Sequence, residues 1–310
     1  MLLSLVLVAL GVGLLFYGGE VLVESAKKLA FHFGMSPMAI GLTVVAFATS
    51  APELAAAITA NLKGSPDLAV GNAIGSNIAN IGLILGASAL FYTLPSTTRF
   101  LRREVAFMIV VTLLVYPLML THLTLGRFEG LVLFGVLVLF LWFLLRDPEH
   151  QLTYGDDEPV DAPVWKSAVG VAIGIGLLVG GAQSLVLGAS DIARGIGISE
   201  RVIGLTLVAV GTSLPELAAS LVAGRKGETE IVLGNIIGSN IFNLLCILGL
   251  TALVEPLQVA PEMIGFDYWM MLGSAVLVLI FLGLSRRLSR TEGFLLLGTY
   301  LAYSVYLFVE

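Results

Sequence analysis

Residues Ile40 to Gly86 read IGLTVVAFATSAPELAAAITANLKGSPDLAVGNAIGSNIANIGLILG, and residues Ile203 to Gly249 read IGLTLVAVGTSLPELAASLVAGRKGETEIVLGNIIGSNIFNLLCILG. The two stretches align without a gap at an offset of 163 residues, and 27 of 47 positions are identical. The same offset pairs Gly11 with Gly174 further upstream. Because one offset relates such long stretches, the sequence predicts a fold built from two copies of one unit.

Composition places the chain in a membrane. Its 310 residues are 57 % hydrophobic and 12 % charged, with a mean hydropathy of +0.98, whereas soluble domains carry about 25 % charged residues. Apolar runs of about 20 residues, which cross a hydrocarbon core of about 30 Å, recur from end to end. The sequence predicts an all-α integral membrane protein with ten transmembrane helices, at about residues 2–26, 38–62, 67–94, 104–121, 126–145, 165–193, 202–224, 230–254, 268–285 and 291–309.

The predicted helices divide equally between the two copies. Because five is odd, the second copy enters the membrane from the opposite side, which gives the inverted-topology repeat of many secondary transporters. We expect a first transmembrane repeat at 1–146, an acidic cytoplasmic linker at 147–163 and a second transmembrane repeat at 164–310. The linker carries most of the excess acid, and we expect it to be solvated and flexible, with a regulatory calcium site as the alternative.

Basic residues predict the orientation, since cytoplasmic loops are enriched in Lys and Arg. Twelve of the 16 lie in or beside loops that follow odd-numbered helices, against four for the even-numbered loops. The odd-numbered loops are therefore predicted to be cytoplasmic, and both termini of this multi-pass protein of the cell membrane are predicted to lie outside. The even-numbered loops carry Lys63, Arg127, Arg194 and Arg201.

Two acids stand at equivalent places inside apolar helices. Glu53 and Glu216 are related by the repeat offset, and a charge at the centre of a membrane helix costs roughly 2.5–3.5 kcal/mol. Basic residues occur only at the ends of the second, third, seventh and eighth predicted helices, so neither acid has an evident counter-ion in the protein. A bound cation is the most economical source of the missing charge.

The residues around the acids offer further oxygen ligands. Pro52 and Pro215 precede them, and an interior proline removes a helical hydrogen bond, so we expect helix breaks that free main-chain oxygens around residues 46–49 and 209–212; a simple kink is the alternative. Hydroxyl and amide side chains lie one turn from the acids or on one face of the next helix. These are Thr49, Ser50, Ser76, Asn80, Thr212, Ser213, Ser239 and Asn243.

Other polar and small residues of the second motif have a packing interpretation. Gly71, Gly75, Gly234 and Gly238 have the spacing of small-residue packing surfaces. The remaining asparagines are candidates for hydrogen bonds between helices. They are Asn72, Asn77, Asn235 and Asn240.

An all-oxygen site suits a hard cation. Calcium takes 6–8 oxygens from carboxylates, carbonyls and amides, whereas transition metals favour His or Cys ligands. His32, His122 and His150 fall at helix ends or in the linker, and Cys246 is interpreted as a core residue. Two carboxylates balance one divalent ion, and sodium ions could neutralise the same pair. No cofactor is expected, because calcium and sodium are then the transported ions.

The paired motifs resemble those of the calcium/cation antiporter superfamily, in its sodium/calcium exchanger branch. The family signatures read close to GTSxPE and GNxxGSNxxN, and they stand here as ATSAPE and GTSLPE with GNAIGSNIAN and GNIIGSNIFN. The resemblance implies four helices around the ion site, with the long first and sixth helices sliding across them. It also implies coordination by the two acids, by the eight hydroxyl and amide side chains above, and by the carbonyls of Ala46 and Ala209.

Two departures from the pattern keep alternatives open. Ala48 stands where the other copy has Gly211, and Asn243 occupies a position that is aspartate in some relatives, so only two central acids remain. Asn80 and Asn243 cannot carry protons, which favours sodium-driven calcium transport by an antiporter that is not an enzyme. Alternatives are proton/calcium or potassium-dependent exchange, a cation channel and a membrane enzyme, although no enzyme motif is found.

The expected partners are calcium, sodium and the lipid bilayer, with no nucleic acid and an open oligomeric state. Glu20 and Glu24 of the first helix face Gln183 and Leu187 in the repeat alignment. Because the second copy has no acid there, we interpret these two glutamates as interfacial residues.

Overall fold

The computed structural model describes residues 1–120, 123–150, 163–198 and 209–309. Most of the predicted linker, His122 and the start of the predicted seventh helix lie outside the described residues. The helices are α1 (Leu2–His32), α2 (Pro37–Leu62), α3 (Pro66–Phe91), α4 (Thr98–Leu120), α5 (Arg127–Arg146), α6 (Val164–Gly195), α7 (Leu214–Arg225), α8 (Thr229–Val254), α9 (Phe266–Ser285) and α10 (Arg290–Val309). A short helical turn, Ala209–Gly211, precedes α7.

The all-α membrane class is confirmed. Among the described residues, eight helices are long and apolar enough to cross a membrane, namely α1–α6, α8 and α9. Large apolar side chains point outward, including Leu284 at 82 % and Phe128 at 73 % exposure, which is the surface that a bilayer would cover. The helices that carry the repeated motifs lie in the middle: α8 is buried along its whole apolar stretch, and α2 and α3 are mostly buried.

Glycines set the closest helix contacts. A Cβ placed on Gly238 of α8 would lie 2.8 Å from the carbonyl oxygen of Leu42 in α2, so only glycine allows this approach. The packing role predicted for Gly234 and Gly238 is therefore confirmed. It is wrong for Gly75, which has no neighbouring atom within 4 Å of such a Cβ. The α3 surface around Gly75 is half-buried, whereas the equivalent α8 surface is fully packed.

The α1 and α6 helices form a long antiparallel pair, again through glycines. A Cβ on Gly11 would lie 2.8 Å from the carbonyl oxygen of Gly181, and one on Gly18 would lie 3.1 Å from that of Gly174. These four positions are two repeat-related pairs. The two copies therefore meet here through equivalent residues.

Four two-residue strands join the copies at two places. Strand β1 (Leu94–Pro95) pairs with β4 (Arg287–Leu288), and β2 (Thr124–Leu125) pairs with β3 (Leu257–Gln258), both antiparallel. The repeat offset carries β1 onto β3 and β2 onto β4. Each pair thus links a loop of one copy to a loop of the other in the same register.

The start of the predicted linker is docked rather than free. Asp147 is 5 % exposed and forms ion pairs with Arg99, at 2.6 Å, and with Arg103 of α4. His150 lies 3.1 Å from Glu104 through its Nε2 atom. The expectation of a solvated segment is therefore wrong for Asp147, which is buried, and for the mostly buried side chain of His150, because buried charges must be paired. Residues 151–162 of this segment are outside the described part.

Candidate cation site

The two repeated acids meet in the centre of the molecule. Glu53 of α2 and Glu216 of the first turn of α7 are each 1 % exposed, and their carboxyl groups are close enough to interact directly. Among the described residues, neither acid forms an ion pair with a basic side chain. Two adjacent buried carboxyl groups without a basic partner need a bound cation or protons to balance their charge.

Hydroxyl groups of the first copy reach the acid of the second. The Oγ atom of Ser50 donates to Oε1 of Glu216 at 3.3 Å. The hydroxyl of Thr49 lies 3.1 Å from the carbonyl oxygen of Val45, 3.3 Å from that of Ala46 and 3.2 Å from Oδ1 of Asn235. The copies therefore build one site, not two.

Several predicted ligand atoms are buried without a protein hydrogen-bond partner. An unpaired buried polar atom costs about 1–3 kcal/mol, so a cluster of them at one place is a strong sign of a bound ligand. Nearly all are oxygens, the ligands that alkali and alkaline-earth cations prefer. The unpaired atoms in the described part of the site are Oε2 of Glu53 and of Glu216, Oγ of Ser213 and of Ser239, Oδ1 of Asn243, and both amide atoms of Asn80.

The predicted helix break occurs in one copy only. In the first copy the α-helix runs from Ala46 to Leu62 through Pro52, so the expected break at residues 46–49 is wrong, and the kink alternative stays a prediction. In the second copy the chain leaves the helix at Thr212 and Ser213 and restarts at Leu214. Pro215 then lies in a first helical turn, where its missing N–H is not needed.

The next helix of each copy changes its winding at the predicted amides. Asn80 begins a π-helical turn, Asn80–Leu85, in α3, and Asn243 begins another, Asn243–Ile247, in α8. A π-helical turn inserts an extra residue and often marks a functional site. Ser76 and Ser239 lie one turn earlier and are buried. The motif spacing alone does not signal these turns, since every other residue of the motif fits a regular α-helix.

Asparagines outside the ligand set form the predicted hydrogen bonds between helices. Two of these bonds hold the main chain of the acids. Asn72 donates to the main-chain oxygen of Glu53 at 3.4 Å, and its counterpart Asn235 donates to that of Glu216 at 3.5 Å. Asn235 also donates to Oγ of Ser220 at 3.0 Å. Ser220 is fully buried and was not singled out from the sequence, because its counterpart in the first copy is Ala57.

The centre is bridged by two more asparagines. Asn77 of α3 donates to the main-chain oxygen of Asn240 in α8 at 3.2 Å, and Asn243 donates to Oδ1 of Asn77 at 3.0 Å. Asn240 donates to the main-chain oxygen of Ile236 in its own helix at 2.7 Å. These bonds fix the separation of α3 and α8, so the unpaired oxygens have fixed positions.

Comparison with known proteins agrees with this geometry. The family model described as sodium/calcium exchanger protein matches residues 3–146 and 166–309. The chain belongs to the sodium/calcium exchanger family. The resemblance inferred from the paired motifs is thereby confirmed, and the family is one of transporters.

Relatives of this exchanger cover it from end to end. The putative antiporter CaxA of Alkalimonas amylolytica is 41 % identical over 99 % of both chains. The sodium/calcium exchanger MaX1 of Methanosarcina acetivorans is 32 % identical over 98 % of both chains. A solved structure of the sodium-calcium exchanger NCX_Mj, soaked with Na⁺ and Ca²⁺, superposes with a TM-score of 0.84 at 31 % identity and covers 97 % of both chains.

A cavity of about 420 Å³ lies beside the break before α7. Pro52 and Ala56 of α2 form one wall, and Thr212 and Pro215 at the break form another. The third wall is the face of α6 from Val179 to Leu187. The break at Thr212, just before Glu216 in the chain, thus borders the cavity.

Proposed function

We propose that this protein is a secondary active antiporter that exchanges sodium for calcium by alternating access. The observation that carries the proposal is the pair of buried carboxylates, Glu53 and Glu216, surrounded by unpaired oxygens and lacking a basic partner among the described residues. A divalent cation neutralises the pair, and sodium ions do so at the same place. Two ions that need the same charges compete for the site, and such competition is the basis of exchange.

The proposed ligands come from both copies. Ser50 and Thr49 already bridge the first copy to Glu216 and Asn235, so an ion bound here would hold the copies together. The Ala46 carbonyl stays within an unbroken helix in this conformation, and we propose that it binds an ion together with the Thr49 hydroxyl. The full proposed set is Glu53, Glu216, Thr49, Ser50, Ser76, Asn80, Thr212, Ser213, Ser239, Asn243 and the carbonyls of Ala46 and Ala209.

The strand pairs support a crossing by α7, which the proposal of ten crossings in two inverted repeats requires. Strand β2 follows α4 and β3 follows α8, yet they pair, so the loops that hold them lie on one side of the membrane. An even number of crossings must separate them, which holds only if the short α7 crosses along with α5, α6 and α8. Strands β1 and β4 follow α3 and α9 and obey the same rule. The first repeat then ends at 146 and the second begins at 164.

Sodium is the favoured coupling ion. Proton/calcium exchange needs groups that bind and release protons during the cycle. The buried amides Asn80 and Asn243 cannot do so, so any proton would have to displace an ion from Glu53 and Glu216 themselves. Potassium-dependent exchange is the second alternative. A channel is disfavoured because, among the described residues, α6 leaves a cavity beside the break before α7, whereas α1 packs on α7: a Cβ on Gly19 would lie 3.1 Å from Val222.

Flux into vesicles tests the coupling. Purified protein in sodium-loaded liposomes should accumulate calcium when diluted into sodium-free buffer, and a potassium-loaded control should not. Imposed pH gradients should not drive uptake, and protons should inhibit only weakly. Robust uptake driven by a pH gradient, with no response to sodium, would move the assignment to a proton/calcium antiporter.

Labelling tests the proposed orientation in the cell membrane. Both termini are proposed to lie outside, and the acidic linker in the cytoplasm. Asp157→Cys and Glu310→Cys, each in a Cys246→Ala background, should react oppositely with an impermeant thiol reagent on intact cells: Glu310→Cys should label and Asp157→Cys should not. The reverse result would overturn the orientation.

A further inference from the structure

The long helices α1 and α6 present equivalent faces to the core, but one face lines a cavity and the other packs against a helix. The α6 face lines the cavity, with Gln183 and Leu187 exposed. The equivalent α1 face packs against α7, where a Cβ on Gly19 would lie 3.3 Å from the carbonyl oxygen of Ala218. The repeat-related pairs on these faces are Phe16 and Val179, Gly19 and Ala182, Glu20 and Gln183, Val23 and Val186, and Glu24 and Leu187.

The closed α1 face is tied by three ion pairs. Glu20 pairs with Arg225, whose guanidinium group also lies 4.5 Å from the centre of the Phe16 ring. Glu24 pairs with Lys226 at 2.7 Å. Lys27 pairs with Glu228 in the connection between α7 and α8. All three pairs therefore connect α1 to the C-terminal end of α7 and the residues just after it.

The open face cannot form such ties. Glutamine and leucine replace the two acids at 183 and 187, and Ser190 replaces Lys27. At the end of α2, Leu62, Lys63 and Ser65 are the repeat equivalents of Arg225, Lys226 and Glu228. Of the six charged residues in the three ion pairs, only one therefore has a charged equivalent, which is Lys63. The interfacial interpretation of Glu20 and Glu24 thus understates them, because both pair with the other copy.

We propose that these three ion pairs form a latch that holds α1 against α7 and keeps the path on that side shut while the α6 side is open. The inference rests on the proposed function, in which α1 and α6 slide across the core. Exposed ion pairs each shift an equilibrium by about fivefold or less, so they can release in every cycle. Three together are expected to bias the empty protein by about tenfold or more toward the conformation described here.

Thiol accessibility reports the latch directly. Ala56 of α2 is exposed in the cavity, and its counterpart Ala219 of α7 is 1 % exposed beneath α1. In a Cys246→Ala background without sodium or calcium, Ala56→Cys should react rapidly with a maleimide and Ala219→Cys slowly. Adding Glu20→Gln and Glu24→Leu, which are the residues of the second copy, should raise the rate at Ala219→Cys about tenfold and lower that at Ala56→Cys.

Three controls separate the latch from a general loss of structure. Asp191→Asn removes the exposed pair of Asp191 with Arg194 inside α6 and should leave both rates unchanged. Exchanging the charges, as Glu20→Arg with Arg225→Glu, should retain the slow reaction at Ala219→Cys. Choline chloride at 1 M should speed that reaction in the otherwise unaltered protein, because salt screens exposed pairs, and should have little effect once the acids are replaced.

The outcomes distinguish the latch from the function on which it rests. Unchanged rates at both reporters in the Glu20→Gln, Glu24→Leu protein would overturn the latch, even if sodium still drove calcium uptake. Equal acceleration at both reporters, or by Asp191→Asn, would also overturn it, since that indicates loosening of the whole fold. Opposite shifts in a protein that fails to exchange sodium for calcium would support the latch and reject the proposed function.

Discussion

The two halves of the candidate site have nearly the same sequence and different backbones. ATSAPE in α2 stays helical through Pro52, whereas GTSLPE leaves the helix at Thr212 and Ser213 and restarts at Leu214. The proline is common to both, so it does not decide the break by itself. Both halves border the cavity, through Pro52 of α2 and through Thr212 and Pro215 before and in α7. The broken half differs in its close contacts, because Gly211 lies against Val186 of α6 and α7 packs against Gly19 of α1.

The support behind the two halves is also unequal. Asn235 is 1 % exposed and bonds to Thr49, to Ser220 and to the main chain of Glu216. Its counterpart Asn72 is half-buried and donates to the main chain of Glu53 at 3.4 Å. The acid of the second half is thus held by more hydrogen bonds than that of the first. Substitutions at equivalent residues of the two halves should therefore have unequal effects.

The largest effects are expected at the acids, where the halves should behave alike. Glu53→Gln or Glu216→Gln leaves one carboxylate facing a divalent ion, so we expect sodium-driven calcium uptake to fall to background in both. The thermal stabilisation that calcium gives the unaltered protein should vanish too, since a ligand stabilises only what it binds. Uptake at near wild-type rate in either variant would show that the two carboxylates do not share one ion.

A smaller, unequal effect is expected at the supporting asparagines. Asn235→Ala leaves the buried Ser220 hydroxyl without this partner, at about 1–3 kcal/mol for a buried group, and removes one of the three contacts of the Thr49 hydroxyl, so calcium affinity should fall about tenfold. Asn72→Ala should lower calcium affinity only about twofold, because the Asn72 side chain is half-buried. Calorimetric titration of both variants with calcium measures the difference. Equal losses would mean that the two halves support their acids equally.

Ser220 provides a second test of the difference between the two halves, because only the second half has a hydroxyl at this position. Ser220→Ala reproduces the first copy, in which Ala57 stands at this position. If the Ser220 bond orients Asn235, this change should weaken calcium binding about two- to fivefold while the melting temperature of the empty protein stays the same. An equal drop in melting temperature and affinity would assign Ser220 to packing alone.

Much of the fold follows from the sequence because the repeat is long and regular. The offset of 163 residues predicted which helices are equivalent, and apolar runs predicted where α1 to α6, α8 and α9 lie. The bonds made by Asn72, Asn77 and Asn235 were expected from polar residues in apolar helices, since a buried amide must find a partner. These inferences need only local pattern and elementary physical chemistry.

What the sequence left open depends on contacts between distant segments. The unbroken helix at Pro52 and the break at Thr212 have the same local signal and differ through α1 and α6, which pack on them differently. The ion pairs of Glu20 and Glu24 were not predicted, because their partners, Arg225 and Lys226, lie far away in the sequence, in the other copy. Asp147 likewise is buried only because Arg99 and Arg103 face it.

The smallest expected effect concerns the residue just before the break. Ala48 in the unbroken half corresponds to Gly211 in the broken half. A Cβ on Gly211 would lie 2.4 Å from a methyl carbon of Val186 in α6, so that valine must move if alanine is introduced. Because Gly211 is itself helical in the broken conformation, the higher helix propensity of alanine does not oppose that conformation. The contact with Val186 does oppose it.

We therefore expect Gly211→Ala to slow sodium-driven calcium uptake about three- to tenfold, with little change in calcium affinity. Val186→Ala in the same chain removes the contact and should restore most of the rate. The matched control, Ala48→Gly, loosens a helix that stays intact in this conformation and should alter the rate less than twofold. If Val186→Ala gave no recovery, the contact with α6 would not control the break.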